Sequence, residues 1–289
     1  MPELSIIIVN YNTREPLRRC LESIIAQRGA LDLEVIVVDN ASKDDSAAMV
    51  RQVMPEARLI EPGHNTWFTG GNNLGIQQAA GEYVLILNPD TVFQPNTLQT
   101  MLAYIRAHPR VGAITCQMRF PDGRVQYTGS RIPAYVDLLL GYTFLGVLLK
   151  PWRDSRRRHM WFDGWNRDST RPVEVIPDSN YLAPLALVRQ LGAFDESLKL
   201  YFTEDDICRR TLDAGYEIHF IAEAVLTHEE HASTSQVQRL ASQVYFQDLV
   251  QFSRKYYGAG RTWLLRALMW PTRQAMDLAQ RLRGERKSF

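Results

Sequence analysis

Short apolar runs alternate with amphipathic segments through the first 120 residues. Leu4–Val9 and Leu33–Val38 are rich in β-branched residues and have no polar face, a pattern typical of strands buried on both sides. Between them, Leu17, Leu21 and Ile24 recur at helical spacing. This alternation predicts an α/β fold with a mostly parallel sheet and helices on both faces.

The same criteria locate the remaining elements. Further strands are predicted at 57–60, 83–87, 111–116, 178–182, 217–221 and 224–227, and helices at 14–28, 43–53, 72–80, 95–108, 184–191, 205–214 and 235–257. The regular order breaks between residues 129 and 172, which we interpret as an insertion near the sheet edge. We expect one domain over residues 1–232 and a helical extension over residues 233–289.

Composition and charge narrow the class of protein. The 289 residues are 45% hydrophobic and 22% charged, as in a globular protein, and the balance of 33 basic and 32 acidic side chains argues against general nucleic-acid binding. The charge is uneven, because residues 251–289 hold nine Lys or Arg and only two Asp or Glu. A basic tail predicts contact with an anionic surface.

Cysteine usage and the N-terminus suggest a cytoplasmic location. Cys20, Cys116 and Cys208 lie far apart and have neither metal-site nor disulfide-scaffold spacing. The N-terminal segment has no basic region before its apolar run, so we do not expect a signal peptide. The longest apolar run, Leu138–Leu149, is too short for a membrane-spanning helix, which needs roughly 20 residues.

Asn and Asp residues follow several predicted strands at the point where each strand ends. These positions are Asn10 and Asn12, Asp39 and Asn40, Asn72 and Asn73, and Asn88 and Asp90. Such residues also form turns and helix caps. Because ligands of open α/β sheets bind outside the carboxyl ends of the strands, the four groups together predict a polar floor for a ligand rich in hydrogen-bonding groups.

Asp90 is a candidate metal ligand. It follows a buried strand, and one carboxylate there can bind a divalent cation that bridges a diphosphate, because Mg²⁺ commonly keeps water and phosphate oxygens as its other ligands. His228 follows the last predicted strand and is a candidate second ligand, although a single His also has structural uses.

Three consecutive acids open the helix predicted at 205–214. Acids at a helix start complement the helix dipole, but Glu204, Asp205 and Asp206 exceed what a cap requires. Crowded carboxylates raise one another's pKa, which helps to create a general base.

The motifs VNYN, VVDNAS, GGNNLGI, LNPD, GAFDE, TEDD and H-x₄-S, in this order, resemble the family 2 inverting glycosyltransferases of the GT-A fold. Within that family the chain is most similar to rhamnosyltransferase-like bacterial members, over about Leu4 to Ser233. The resemblance implies a Rossmann-like GT-A catalytic domain that uses Mg²⁺ or Mn²⁺. It also implies a dTDP- or UDP-linked sugar donor, preferably dTDP-rhamnose, and a glycan or polyprenol-linked acceptor of cell-surface polysaccharide synthesis.

The resemblance also assigns roles to residues on the donor side. Asp39 resembles the acid that hydrogen-bonds the pyrimidine base, and Asn10 and Asn12 line the same nucleotide pocket. Asn72 and Asn73 resemble the Asn pair beside the nucleotide-sugar.

The metal and base motifs depart from the family pattern. Asn88-Pro89-Asp90 stands in place of the DxD motif, so metal binding rests mainly on Asp90, with His228 resembling the metal-side His. The acid motif is one residue shorter than usual. Aligned on Glu-Asp, the general base is Asp205; aligned on the following helix, it is Glu204, and Asp206 completes the predicted catalytic cluster.

Two other functions are alternatives to sugar transfer. A sugar nucleotidyltransferase would have a Gly-rich basic loop after the first strand, where this chain has Asn10–Arg14. A non-catalytic membrane-surface module would not need the acid cluster.

The segment 261–283 is predicted to be an amphipathic helix. Its apolar face comprises Leu264, Leu265, Leu268, Met269, Met276, Ala279 and Leu282. Arg266, Arg273 and Arg281 lie on the opposite face, and Trp263 and Trp270 lie toward the basic flank. This pattern suits a helix that lies on a membrane surface, and equally one that packs on its own domain or on a second copy in a homodimer.

Overall fold

A computed structural model describes residues 1–29, 31–229 and 238–285. The strands are β1 Leu4–Asn10, β2 Leu33–Asp39, β3 Arg58–Ile60, β4 Tyr83–Leu87, β5 Thr91–Phe93, β6 Val111–Arg119, β7 Arg171–Val173, β8 Asn180–Pro184 and β9 Glu217–His228. The helices are α1 Arg14–Arg28, α2 Ser46–Val53, α3 Trp67–Gln78, α4 Thr97–Ala107, α5 Tyr135–Tyr142, α6 Leu145–Leu148, α7 Lys150–Met160, α8 Leu185–Gln190, α9 Thr203–Asp213 and α10 Gln238–Glu285.

The strands form one mixed sheet with the order β3-β2-β1-β4-β8-β6-β9-β5, and β7 pairs with β9. The half formed by β3, β2, β1 and β4 is parallel, as predicted. The other half is mixed, because β8 runs antiparallel to both β4 and β6. Strands β6 and β9 of this half pair in parallel, so the predicted α/β fold is confirmed with a sheet that is mixed rather than mostly parallel.

Strand β9 is one long strand where the sequence predicts two. Its pairing with β6 shifts register between Cys116 and Gln117, opposite Ile221 and Val225. A β-bulge of this kind bends the strand without ending it, which explains why the pattern of apolar residues breaks there.

Helix α3 begins at Trp67, five residues before the predicted start, and packs closely on β1. A Cβ atom added to Gly75 would lie 2.5 Å from Ile7 Cγ2, and one added to Gly71 would lie 2.8 Å from Val9 Cγ1. These glycines therefore serve close packing of helix on strand.

The predicted insertion contains α5, α6 and α7; α5 packs against the C-terminal helix, and α6 and α7 pack against α5. The apolar run divides: Leu138 and Leu140 are buried, whereas Val147 and Leu148 are 75% and 69% exposed.

Helix α10 bends at Gly258, where φ is 80°, between the predicted helices 235–257 and 261–283. Beyond the bend, Leu265 and Met269 are buried against Leu138 and Phe252, so this part of the apolar face packs on its own domain. Trp263 and Trp270 remain exposed. The side chains of Met276, Ala279, Arg281 and Leu282 lie outside the described residues, as do residues 235–237 of the predicted helix. No helix in the described ranges combines the length and apolar character needed to cross a bilayer.

Candidate active site

The predicted polar floor lies at one edge of the sheet. Asn10 pairs with Asp39 where β1 and β2 end in parallel register. Strand β8 begins at the same edge, because Asn180 is the antiparallel partner of Leu87 at the end of β4. Side chains that follow β1, β2 and β4 and those that precede β8 therefore meet at this edge.

Asn10, Asn12 and Asp39 are joined through Ser42. The Asn10 Nδ2 group donates to Asp39 Oδ1 at 2.8 Å and to Ser42 Oγ at 3.0 Å, and the Ser42 amide donates to Asp39 Oδ2 at 3.1 Å. Asn12 joins the network because its backbone amide donates to Ser42 Oγ and its Oδ1 accepts from the Lys43 amide. A cavity of about 340 Å³ opens beside Asp39. These bonds hold the Asp39 carboxylate in one orientation at that cavity.

The two Asn residues of α3 face different partners. Asn73 exchanges hydrogen bonds with the backbone of Phe194 and donates to Glu196, so it ties α3 to the loop before α9. Asn72 is fully buried and donates to Phe68 O.

The backbone of Asn88 connects β4 to β8. Its amide donates to Ser179 O at 3.0 Å.

Asp90 and His228 are brought together by the pairing of β5 with β9, which sets Thr91 opposite His228. The His228 Nε2 atom lies 3.3 Å from Asp90 Oδ1. His228 Nδ1 lies 3.1 Å from Gln126 Oε1, and the Gln126 side chain also donates to His228 O. A polar partner on one ring nitrogen orients the other toward a metal.

This donor set fits a divalent cation that takes its other ligands from phosphate and water. One carboxylate and one imidazole are too few for a closed protein site, and no cluster of three or more His, Cys, Asp or Glu suited to a metal occurs among the described residues. Mg²⁺ in phosphate-handling enzymes is commonly bound in this open manner.

The start of α9 brings three carboxyl groups together. Glu204 and Asp205 are half-buried, and Asp178, which precedes β8, is hydrogen-bonded to the Thr203 hydroxyl. Burial raises the pKa of Asp205 well above its ordinary value, and the nearby Glu204 and Asp178 carboxylates raise it further. Burial also raises the pKa of Glu204, and burial together with Glu204 raises that of Asp178.

Asp206 lies in a different environment from its two neighbours. Its Oδ2 accepts from Arg210 at 2.6 and 2.8 Å, and its Oδ1 lies 2.5 Å from Lys255 Nζ and 2.6 Å from the Tyr256 hydroxyl. These bonds connect α9 to α10. Asp248 of α10 adds a second connection, because its Oδ2 accepts from the backbone amides of residues 199–201.

Glu204 and Asp205 line a cleft of about 580 Å³ beside α5 and α7. The volume is that of a small-molecule site. Three residues of this region are not among the site residues predicted from the sequence: Asp178, Ser42 and Gln126. Ser42 could have been predicted, since it lies in the VVDNAS motif. Asp178 precedes the antiparallel strand β8 and Gln126 lies in the loop after β6, so neither position follows from the local sequence pattern.

Comparisons with known proteins agree with the fold and these motifs. The Glycosyl transferase family 2 profile matches residues 5–162. An N-acetylglucosaminyl-diphospho-decaprenol L-rhamnosyltransferase from Mycobacterium tuberculosis is 27% identical over 246 residues, which cover 80% of this chain and 77% of the relative. The O-antigen biosynthesis protein RfbC of Myxococcus xanthus is 26% identical over 235 residues, 80% of this chain but 18% of that protein.

Solved structures show the same fold. The mannosyltransferase PcManGT from Pyrobaculum calidifontis, in complex with GDP-Man and Mn²⁺, aligns with a TM-score of 0.59 at 19% identity, over 88% of this chain and 64% of that one. Staphylococcus aureus TarS aligns with a TM-score of 0.55 at 16% identity, over 84% of this chain and 39% of that one.

The fold is therefore GT-A, as the motifs predict. The chain belongs to glycosyl transferase family 2, and rhamnosyltransferases are among its relatives.

Proposed function

We propose that the protein is a metal-dependent inverting glycosyltransferase that moves rhamnose from dTDP-rhamnose to a hydroxyl of a glycan or polyprenol-linked acceptor in cell-surface polysaccharide synthesis. The observation that carries the mechanism is the set of carboxyl groups with raised pKa at the start of α9, which opens into the cleft. The sugar and the lipid-linked acceptor are supported by the name of the Mycobacterium tuberculosis relative.

Asp205 is the proposed general base, with Glu204 as the second candidate. The base removes the proton of the acceptor hydroxyl, whose oxygen attacks C1 of the donor sugar from the face opposite the diphosphate. The C1–O bond to the diphosphate breaks, and the nucleoside diphosphate leaves with the electron pair. A base whose pKa is raised toward neutrality accepts this proton more readily than an ordinary Asp.

Asp206 is proposed to position the base, since its carboxylate is bound by Arg210 and Lys255. On the donor side, Asp39, Asn10 and Asn12 are proposed to hold the nucleobase and ribose. Asn72, Asn73 and Asn88 are proposed to lie beside the nucleotide-sugar, Asn72 from a buried position. Asp90 and His228 would hold Mg²⁺ or Mn²⁺, which supplies charge neutralisation to the departing diphosphate. The structure of PcManGT with Mn²⁺ supports this use of a divalent cation in a related fold.

We also propose that the enzyme works at the inner face of the cytoplasmic membrane. The corner between α6 and α7 exposes Val147, Leu148 and Trp152 beside Lys150, and α10 exposes Trp263 and Trp270. Apolar side chains flanked by basic residues suit an anionic bilayer surface. Replacing Leu148 and Trp152 by Ser should reduce co-sedimentation with vesicles containing anionic lipid; unchanged sedimentation would refute this attachment.

A thermal-shift experiment tests the donor and metal assignments. Saturating dTDP-rhamnose with Mn²⁺ should raise the Tm, because a ligand that binds only the folded state stabilises it. Asp90→Ala should lose the metal-dependent part of this rise and most of the transferase activity.

Asp163→Ala is the matched control, because Asp163 is exposed and pairs only with Arg158 at 3.6 Å among the described residues. The assignment is wrong if Asp90→Ala responds to Mn²⁺ like this control. Failure of every nucleotide sugar to shift the Tm or to be hydrolysed would favour a non-catalytic module.

A further inference from the structure

A row of arginines on α7 lines the same cleft as Glu204 and Asp205. Arg153, Arg156 and Arg157 have the i, i+3, i+4 spacing that places side chains on one helix face, and all three border the cavity of about 580 Å³. The helix carries five Lys or Arg and one Asp between residues 150 and 160. The mechanism proposed above uses none of these cations.

Within the described ranges, two of the arginines have acidic partners and the third does not. Arg156 binds Asp137 of α5 through two bonds of 2.7 and 2.8 Å, which fixes α7 against α5. Arg153 binds Asp154 at 2.9 and 3.0 Å. Arg157 forms no ion pair with any Asp or Glu of the described ranges. Within the described ranges, the Arg157 guanidinium therefore has no acidic counter-charge, and α7, which carries it, is fixed against α5 by Arg156.

The charges make the cleft electrostatically asymmetric. Carboxyl groups of Glu204 and Asp205 occupy one part of its wall, and the arginine row occupies another. An anionic group would be repelled by the first part and attracted by the second. Guanidinium groups bind phosphate oxygens in a bidentate manner, so a phosphate-bearing ligand matches the arginine part.

We propose that Arg157, assisted by Arg153, binds the diphosphate of a diphosphate-linked acceptor sugar whose hydroxyl faces the base. This inference rests on the proposed transferase function and defines its acceptor class. The diphosphate of the donor is assigned to the Asp90 edge of the sheet, so an anion site beside the base belongs to the acceptor. A neutral glycan would leave Arg157 without a counter-charge among the described residues.

The test compares two acceptors that share one sugar. N-acetylglucosamine linked through diphosphate to a ten-carbon prenyl chain is compared with the same sugar on a neutral octyl chain, with dTDP-rhamnose as donor. Arg157→Gln should raise the KM for the diphosphate acceptor at least about tenfold, since a charge-assisted bond is lost, with little change in kcat. The KM for the octyl acceptor should not change.

Arg158→Gln is the matched control, because Arg158 is the next residue on α7 and does not line this cleft. Equal KM values of the wild type for the two acceptors, or equal behaviour of Arg157→Gln and Arg158→Gln, would overturn the inference while leaving the transferase function intact.

Binding of inorganic pyrophosphate provides a readout that needs no turnover. In calorimetric titrations with EDTA present, the wild type and Arg158→Gln should bind pyrophosphate, and the double variant Arg153→Gln/Arg157→Gln should bind it at least about tenfold more weakly. Equal binding by all three proteins would place the anion at the Asp90 edge of the sheet and would refute the arginine site. An absence of binding by the wild type would also refute it. Hydrolysis of dTDP-rhamnose by the same preparations reports separately on the proposed function.

Discussion

The polar edge of the sheet around Asp39 and the cleft at the start of α9 both contain carboxylates, but the surroundings of these carboxylates differ. At the polar edge, Asp39 is held by the Asn10 side chain and the Ser42 amide, so its oxygens already have neutral donors. At the start of α9, burial raises the pKa values of Glu204, Asp205 and Asp178, and the nearby Glu204 carboxylate raises those of Asp205 and Asp178 further. The first arrangement suits recognition of a base or ribose, and the second suits proton transfer.

The same contrast occurs between two neighbouring residues of α9. Asp205 faces other carboxyl groups, whereas Asp206 faces Arg210, Lys255 and Tyr256. Because consecutive positions of a helix point about 100° apart, one residue reaches the cleft and the next reaches α10. Substitutions at these two positions should therefore separate catalysis from stability.

Replacing the base should have the largest effect. Asp205→Asn should lower kcat by about 10²–10⁴-fold, since the acceptor hydroxyl loses its proton acceptor. Glu204→Gln should have a smaller effect if Asp205 is the base, and the order should reverse if Glu204 is. The Tm rise on adding dTDP and Mn²⁺ should persist in both variants. Near-normal turnover by both would refute a base at this cluster.

Replacing Asp206 should affect folding more than rate. Asp206→Asn leaves Arg210 without its carboxylate and leaves Lys255 with Asp195 only, so it should lower the free energy of unfolding by about 2–3 kcal/mol. This is below the value for a fully buried pair, since both cations retain some exposure.

Tyr256→Phe is a graded control, because it removes only the phenol hydroxyl that donates to Asp206 and should cost about 1 kcal/mol. Urea unfolding and kcat measured on the same samples distinguish a structural role of Asp206 from a catalytic one. Unchanged stability with a 10²-fold loss of rate would instead assign Asp206 to the chemistry.

The pattern of apolar runs and of the polar residues that follow them is sufficient to predict the parallel half of the sheet and its polar edge. Strands β1, β2 and β4 are continuous apolar runs, and in parallel strands the residues that follow each run meet at one edge. The pattern of apolar runs alone therefore places Asn10, Asp39 and Asn88 at the same edge. The pairing of Asp90 with His228 requires the family resemblance, because the two residues lie far apart along the chain.

The residues that were not predicted from the sequence reach the site through strand direction and through contacts between segments far apart along the chain. Strand β8 is antiparallel, so Asp178 reaches the site by preceding its strand, and a search of strand ends overlooks it. The role of Asp206 depends on Lys255 and Tyr256 of α10, far along the chain. The arginine row on α7 faces the cleft because Asp137 binds Arg156, a contact that local pattern does not encode.

The smallest expected effect is on the pH dependence of stability, which tests directly whether the Asp205 and Asp39 carboxyl groups lie in different environments. The pKa of Asp205 is raised in the folded protein, so at pH values between its unfolded and folded pKa the folded state holds a proton that the unfolded state has lost. Stability from this group is therefore present at low pH and is lost as the pH rises through the folded pKa.

Asp205→Asn lacks this titration, so its Tm minus that of the wild type should increase from acidic to neutral pH. Each 1 kcal/mol corresponds to roughly 2–4 °C in a domain of this size. Asp168→Asn, at an exposed position, is the control for removing one surface carboxylate. A constant or decreasing difference for Asp205→Asn would mean that the pKa of the Asp205 carboxyl is not raised in the folded protein, and the contrast with Asp39 would lose its physical basis.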